Sequence, residues 1–179
     1  MKSLNVQRSG KGSQQGFTII ELVVVILLLG ILAATALPRF IDVTDEAHVA
    51  VVDGVLGGLG TASALYRAEF IAQGGTTTPQ GYSALAVSVT TGYPDVADNA
   101  GCLSVFNGML QGGRPSIALG TAGGGNSSTA ATNSGQGTDF VSSFNTPHCS
   151  YTYIADVASG SAGTKFIVWN KDNGEIELK

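Results

Sequence analysis

The stretch GFTIIELVVVILLLGILAATALP, residues 16–38, decides how this chain is organised. From Phe17 to Leu37 it has 21 residues and a single charge, Glu21. As an α-helix it would be about 31 Å long, enough to cross the hydrocarbon core of a bilayer. A carboxylate in such a stretch is costly, so the sequence indicates that Glu21 has a specific partner.

The charges on the two sides of this stretch are unequal. Residues 1–16 carry Lys2, Arg8 and Lys11 and no acid, which leaves 6 bases and 13 acids in residues 17–179. The basic side of a membrane segment faces the cytoplasm, so we expect the remainder of the chain on the other side. Residues 1–16 also lack periodicity and are predicted to lie outside the fold. No basic patch indicates a nucleic-acid partner.

Three interpretations of this front end are open. It could be a secretory signal cut after Ala34-Thr35-Ala36, although the apolar run is longer than usual and carries a charge. It could be an uncut membrane anchor. It could also be a leader, residues 1–16, cut on the cytoplasmic side between Gly16 and Phe17, which would leave the apolar helix on the mature protein.

The string GFTIIEL (residues 16–22), followed by an apolar run and Pro38, resembles the processing and assembly motif of type IV pilins and favours the third interpretation. A weaker likeness is to the mannose-sensitive haemagglutinin (MSHA) group of type IVa major pilins. It lies in residues 38–41, the turn at residues 92–94, and Cys149 opening a strand. The leader is longer than most in that group, and Cys149 lies 30 residues from the last residue, so a C-terminal disulfide-bounded receptor loop does not carry over.

The resemblance implies a structural subunit that polymerises into an extracellular filament for surface attachment. Its partners would be further copies of itself, a prepilin peptidase and methyltransferase acting at Gly16 and Phe17, and the inner-membrane assembly machinery of a Gram-negative bacterium. The precursor would lie in the inner membrane and the mature protein in the pilus. The alternatives are a pseudopilin of a type II secretion system, or an anchored periplasmic binding protein that does not polymerise. A membrane-anchored hydrolase is the weakest alternative.

Cleavage after Gly16 would place a new α-ammonium on Phe17, at the head of an apolar helix. A carboxylate and an ammonium in a low-dielectric medium each lose less free energy when they pair. Glu21 of an incoming subunit can therefore pair with Phe17 of a neighbour. A local interpretation is also open, because Thr18 and Glu21 have the spacing of a capping box.

Gly30 and Pro38 weaken the helix, by about 1 and 3 kcal/mol respectively. Pro38 cannot donate a backbone hydrogen bond and is expected to kink the chain. Either the helix ends at Pro38, or, as the resemblance implies, residues 30–38 loosen during filament packing.

Beyond Arg39, a helical pattern continues to about Gln73, where Gly74-Gly75 should end it. One helix is thus predicted from about Phe17 to Gln73. Gly54 and Gly58 form a small-residue stripe, which permits either close helix approach or local mobility. The apolar positions of the pattern are Ile41, Val52, Val55, Leu59, Ala62, Tyr66 and Phe70.

The remainder of residues 39–179 is predicted to be a globular head. We expect strands at 84–91, 150–157, 165–170 and 175–178, a short helix at 100–110 capped by Asp98 or Asn99, and a surface loop at 120–138. Asn173-Gly174 is a hairpin signal. The last three strands should form an antiparallel meander on the long helix, so the fold class is α+β. The triplet at 126–128 matches a glycosylation acceptor, but such triplets are common in Ser-rich loops.

Two cysteines after an export-like front end indicate one disulfide, Cys102–Cys149, which would stabilise the head by about 4 kcal/mol in the chain-entropy model. A zinc site from these cysteines with His48 and His148 lacks ligand spacing. Calcium binding at Asp95, Asp98 and Asn99 is a minor alternative, since turns and caps use the same residues. The sequence contains no catalytic motif, so no enzyme activity, cofactor or metal is predicted.

Overall fold

The computed structural model describes residues 16–120, 137–156 and 165–179, and of residues 40–42 the backbone only. The chain divides between Val43 and Thr44 into two compact units. The second unit, the head, contains the sheet. In chain order the elements are α1 (Ile19–Ala72), a 3-10 turn (Gln80–Tyr82), α2 (Asn99–Met109), β1 (Ile117–Leu119), β2 (Phe140–Asn145), β3 (His148–Tyr153), β4 (Phe166–Asn170) and β5 (Ile176–Leu178). The predicted α+β class is confirmed.

Helix α1 ends where the sequence predicted. Gly74 and Gly75 have φ angles of 87° and 73°, a left-handed conformation that glycine adopts without a Cβ penalty. The Gly75 amide donates to the Phe70 carbonyl at 2.9 Å, and the Gly74 amide donates to the Ile71 carbonyl at 3.0 Å. These two bonds form a Schellman motif, which satisfies the last helical carbonyls.

Within the head, the C-terminal part of α1 packs into the core through one stripe of side chains. This confirms the helical pattern from Val52 onward, because each predicted position there is buried; the side chain of Ile41 lies outside the described residues. The Trp169 indole N–H on β4 donates to the Ser63 hydroxyl on α1 at 3.2 Å, inside the core. The buried stripe consists of Val52, Val55, Leu59, Ala62, Tyr66 and Phe70.

The sheet has five strands in the order β1-β2-β3-β4-β5. β1 and β2 are parallel, whereas β2–β3, β3–β4 and β4–β5 are antiparallel. The predicted meander of three C-terminal strands is confirmed as β3–β5. Gly174, with φ 73°, lies in the turn between β4 and β5, as the Asn-Gly signal predicted.

Strands β1 and β2 were not predicted. In β2, Phe140, Val141, Ser142 and Ser143 are all buried, so apolar and polar side chains do not alternate along it. β1 has only three residues. The predicted loop at 120–138 lies mostly outside the described residues, as does the whole triplet at 126–128.

The predicted strand at 84–91 is wrong. Only one bridge forms, between Val87 and Pro94. The Ser88 amide donates to the Tyr93 carbonyl at 2.8 Å and the Gly92 amide donates to the Ser88 carbonyl at 2.7 Å, so the chain turns back on itself at once. The Ser88 carbonyl is used in this turn, so no second bridge forms beyond Val87 and Pro94. The turn predicted at residues 92–94 is confirmed.

Helix α2 begins as predicted. The Asp98 side chain is the N-cap and accepts a hydrogen bond from the Gly101 amide at 2.7 Å, which satisfies one free amide of the first turn. Cys102 on α2 and Cys149 on β3 form the predicted disulfide, with their Cα atoms 5.4 Å apart. Both cysteines are fully buried, so the cross-link joins helix to sheet within the core.

Candidate functional site

The candidate site is the apolar segment Phe17–Leu37. Helix α1 is the one described helix long and apolar enough to cross a membrane, and none of its most apolar 18-residue window is buried. Phe17 is 87% exposed. A helix that is hydrophobic all round needs lipid or other protein to cover it. The exposed large side chains in the segment are Phe17, Ile19, Ile20, Leu22, Val23, Val24, Val25, Ile26, Leu27, Leu28, Leu29, Ile31, Leu32 and Leu37.

Glu21, the one charge of the segment, is engaged in a capping box. The Thr18 amide and the Thr18 hydroxyl both donate to Glu21 Oε2 at 2.9 Å. In return the Glu21 amide donates to Thr18 Oγ1 at 3.2 Å. The local interpretation of the Thr18–Glu21 spacing is therefore confirmed for the single chain. Oε1 has no hydrogen bond among the described residues, so the carboxylate can still accept from a second partner.

The other hydroxyl in the segment is also satisfied locally. Thr35 Oγ1 donates to the carbonyls of Leu32 at 3.0 Å and Ile31 at 3.3 Å. Such bonding back to the preceding turn leaves no unpaired hydroxyl hydrogen. The segment therefore presents almost only hydrocarbon to its surroundings, which suits an apolar environment.

The predicted cleavage position lies before the helix. Gly16, Phe17 and Thr18 precede the first helical residue, Ile19. No atom lies within 4 Å of a Cβ built on Gly16. The Gly16–Phe17 peptide bond therefore lies before the hydrogen-bonded part of the helix. Apart from the neighbouring residues, no described atom covers the Cβ position of Gly16. Residues 1–15 of the predicted leader lie outside the described residues.

Gly30 and Pro38 both lie inside α1, which continues through them. The interpretation in which the membrane helix ends at Pro38 is therefore wrong. Pro38 removes one backbone hydrogen bond, but the turns on either side hold the helix together. Loosening of residues 30–38 during assembly stays a prediction.

The candidate metal ligands are used for structure. Asp98 caps α2, and Asp95 pairs with Lys171 at 3.7 Å. The Asn99 amide nitrogen donates to the Gly120 carbonyl at 2.9 Å, and its oxygen accepts from the Phe144 amide at 2.7 Å. Among residues 16–120, 137–156 and 165–179, no group of three or more His, Cys, Asp or Glu side chains is placed to hold a metal ion.

The two histidines lie on different elements and make separate contacts. His48 Nδ1 on α1 is 2.6 Å from the Tyr153 hydroxyl on β3. Burial, with added repulsion from Asp139 and Asp156, raises the pKa of Tyr153. His148 begins β3. His48 thus helps to hold α1 on the sheet, a long-range contact for which the sequence gives no signal.

The outer face of α1 was predicted only in part. Val51, Gly54, Thr61 and Leu65 are exposed on this face and line a groove. Gly58, which forms the predicted small-residue stripe with Gly54, also lines the groove, and a Cβ built on it would lie 2.8 Å from Leu110 Cδ2. Gly58 therefore permits a close approach, but by a side chain that follows α2, and the sequence pattern did not include Val51, Thr61 or Leu65 in the stripe.

The N-terminal segment matches known proteins. Residues 11–37 match the family described as the prokaryotic N-terminal methylation motif. Over 51 residues the chain is 49% identical to the type IV narrow pilus major component of Thermus thermophilus. The aligned region covers 28% of this chain and 44% of that protein. Over 81 residues it is 40% identical to the type II secretion system core protein G of Pseudomonas aeruginosa, covering 45% of this chain and 55% of that protein.

A third relative is a type IV major pilin protein of Neisseria gonorrhoeae, 58% identical over 36 residues, or 20% of this chain and 22% of that protein. No solved structure matches. The chain spans about half or less of the length of these relatives. The MSHA subgroup stays a prediction. Residues 11–37 thus match the prokaryotic N-terminal methylation motif, and the chain, a long helix joined to an α+β head, is similar over part of its length to type IV pilus components and to a type II secretion system core protein.

Proposed function

We propose that this chain is the structural subunit of a type IV pilus. A prepilin peptidase cleaves it between Gly16 and Phe17, the new N-terminus is methylated, and the mature protein polymerises into an extracellular filament for surface attachment. The observation that carries the proposal is the apolar helix, exposed on all sides and interrupted by one carboxylate, within the methylation motif.

The exposed helix supports polymerisation rather than permanent anchoring. A plain anchor needs apolar length and gains nothing from a carboxylate in its first turns. In the proposed filament, the apolar segments of neighbouring subunits cover one another and exclude both water and lipid. Glu21 then accepts a hydrogen bond from the Phe17 ammonium of a neighbour through Oε1, while Oε2 keeps its bonds to Thr18. Pairing of the two charges sets the axial register of the helices.

The proposal places the precursor in the inner membrane of a Gram-negative bacterium with its N-terminus in the cytoplasm. The head folds on the other side, where an oxidising compartment allows the disulfide to form. The partners are other copies of the chain, the processing enzyme and the membrane-bound assembly machinery. The chain acts through its surfaces and carries out no reaction of its own.

A second candidate is a pseudopilin of a type II secretion system. The match to a type II secretion system core protein supports it. That match covers 45% of this chain and 55% of the relative, more than the match to the Thermus thermophilus pilus component covers of either protein. Processing and methylation would be the same, so these do not distinguish the two. Electron microscopy of the material sheared from cells does: a pilin gives long surface filaments and a pseudopilin does not.

The mass of the mature N-terminus tests the proposal at its first step. The pilin and pseudopilin functions require a methylated Phe17. A chain starting at Leu37 would instead be a secreted protein, and one keeping Met1 or Lys2 would be an anchored protein. Either of these outcomes would contradict the proposal.

Variants of Glu21 test the register step. Glu21→Ala should be cleaved normally but fail to enter filaments. Glu21→Gln keeps an oxygen that can accept from Thr18 but removes the charge, so it should fail in the same way. Glu46→Ala is the matched control, because Glu46 is an exposed acid on the same helix outside the segment. Normal filaments from Glu21→Gln would show that capping alone is needed and that the charge pair is not.

A further inference from the structure

Strand β5 forms one edge of the sheet and has a neighbouring strand, β4, on one side only. Its hydrogen bonds to β4 fix the direction of its backbone groups. The Phe166 amide donates to the Lys179 carbonyl and the Lys179 amide donates to the Phe166 carbonyl, both at 2.9 Å. Hydrogen-bonded and non-bonded pairs alternate along an antiparallel ladder. The amides and carbonyls of Ile176 and Leu178 therefore point away from β4.

The outward backbone groups of β5 are open to another strand. Those of Ile176 and Leu178 have no hydrogen-bond partner within residues 16–120, 137–156 and 165–179. At the opposite edge the chain covers part of the sheet itself, because the Asn99 side chain on α2 donates to the Gly120 carbonyl, next to β1, at 2.9 Å. Unpaired amides and carbonyls along a sheet edge are a template for a further strand. The occupant that fits the β5 edge is therefore an extended segment.

The charges of β5 identify an extended segment that fits. Residues 175–179 read EIELK, with acids at the first and third positions and a base at the fifth. When this strand lies antiparallel to a copy of itself about Glu177, Glu175 of each strand lies opposite Lys179 of the other. Ile176 of each strand then lies opposite Leu178 of the other, so their outward backbone groups form two hydrogen-bonded pairs. A register centred on Ile176 would instead place acids opposite acids, and one centred on Leu178 would keep only one of the two hydrogen-bonded pairs.

We infer that the β5 edge binds the β5 edge of a second copy of the chain, antiparallel and centred on Glu177. The contact joins two five-stranded sheets into one continuous sheet. A two-fold contact closes on itself, so it makes pairs of heads and does not propagate. Copies within one helical filament are related by a screw rotation, so the pair joins heads of different filaments or of unassembled chains. The inference concerns the head and does not depend on assembly through the apolar segment.

One pair of like charges limits the strength of this contact. Glu177 lies opposite Glu177 of the second copy, and like charges directly opposite each other are destabilising. The Lys179 ammonium lies 3.1 Å from the Glu177 carboxylate of its own chain and offsets part of this repulsion. Five residues per copy also bury much less than the roughly 800 Å² per partner of a standard interface. The contact is therefore weak between two free heads, and many copies along neighbouring filaments would multiply it.

Disulfide cross-linking of single-cysteine variants tests the register. Both native cysteines are in the disulfide, so an added cysteine is the one free thiol of the chain. The full-length protein in detergent micelles is oxidised under mild conditions. Glu177→Cys should give disulfide-linked dimers, because the two substituted positions face each other across the two-fold axis. Glu175→Cys is the matched control and should not link to itself, since its two positions lie about 14 Å apart, four residues along a strand, beyond the reach of a disulfide.

A mixture of two variants gives the complementary result. Glu175→Cys chains mixed with Lys179→Cys chains should form dimers with one chain of each kind, because these two positions lie opposite each other. Equal dimer yields from Glu175→Cys alone and Glu177→Cys alone would indicate random collision and overturn the inference. Absence of Glu177→Cys dimers would also overturn it, as would a mixture in which Glu177→Cys links to Lys179→Cys better than to itself.

Charge reversal tests the ion pairs that select the register. In the Glu177→Cys background, Glu175→Lys alone or Lys179→Glu alone replaces two attractive pairs by two repulsive ones and should lower the dimer yield about tenfold. The two reversals combined exchange the charges and should restore the yield. Urea unfolding of each chain checks that the head still folds, since the Asn173 side chain also donates to Glu175 at 3.1 Å. A combined variant that links no better than the single reversals would overturn the inference.

Discussion

The contact of α1 with the sheet can be tested at a single leucine. Leu59 is fully buried in the core, whereas Leu65, six residues later on the same helix, is 57% exposed. Leu59→Ala and Leu65→Ala delete the same atoms and make the same change in helix propensity. A difference in stability between the two variants therefore reports burial alone.

The expected loss follows from the atoms removed. Three buried carbon groups at about 0.8 kcal/mol each contribute roughly 2.4 kcal/mol, and the remaining cavity raises the loss to about 3 kcal/mol. Leu65→Ala should change the free energy of unfolding by less than about 0.5 kcal/mol, as exposed substitutions usually do. Because Leu65 lines the groove, its variant is compared as a monomer in detergent.

The assay is urea unfolding followed by the fluorescence of Trp169, the only tryptophan in the chain. Its indole donates to Ser63 on α1, so its environment changes when the helix leaves the sheet. The midpoint should fall for Leu59→Ala with little change in the slope of free energy against urea. Equal midpoints for the two variants would refute the packing of this helix face on the sheet.

Two further matched pairs test the head. Gly174 and Gly112 both have positive φ angles, but only a Cβ on Gly174 would overlap another side chain, the Tyr93 ring. Urea unfolding should show that Gly174→Ala loses more than the roughly 1 kcal/mol expected of Gly112→Ala from backbone strain alone; equal losses would contradict the tight contact. The buried Tyr66 hydroxyl has no hydrogen-bond partner among the described residues, whereas the buried Tyr151 hydroxyl donates to a carbonyl at 3.0 Å. At pH 7, Tyr66→Phe should be neutral or stabilising and Tyr151→Phe should lose about 1 kcal/mol. Burial raises the pKa of Tyr66 to about 12. The stability that depends on a protonated Tyr66 is therefore complete below about pH 10, the pKa of tyrosine in the unfolded chain. It is lost as the pH rises towards the pKa of Tyr66 in the folded protein. Tyr66→Phe should remove that part of the alkaline loss, and an unchanged alkaline profile would contradict the assignment.

The long helix and the last three strands could be predicted because their signals are local. The positions from Val52 to Phe70 repeat at helical spacing, and Asn173-Gly174 specifies a tight turn. Asp98 likewise reveals the start of α2 through its own side chain. Each of these features depends on residues a few positions apart, so no knowledge of the tertiary fold was needed.

The failures have tertiary causes. Residues 84–91 have a strand-like pattern, but the chain turns back at Ser88 and forms only one bridge. β2 is buried on both faces, since α2 packs against Phe140 on one face and Val141 on the other clusters with Ile154, and so it lacks alternation. The proposed cleavage and assembly residues could be named from the sequence because GFTIIEL is a linear string. The groove depends on Leu110–Pro115 meeting α1, and no pattern within either segment indicates that contact.

The glycines of α1 affect how the head must be stabilised. Gly54, Gly57 and Gly60 each have open space at the Cβ position, so alanine would fit at all three. Relative to alanine, three glycines in a helix interior weaken it by roughly 3 kcal/mol. The Cys102–Cys149 bond, which closes a span of 47 residues, restores about 4 kcal/mol by restricting the unfolded chain. Oxidation thus stabilises a head whose central helix is intrinsically weak, and a chain retained in a reducing compartment should be cleaved by proteases more readily than the oxidised chain.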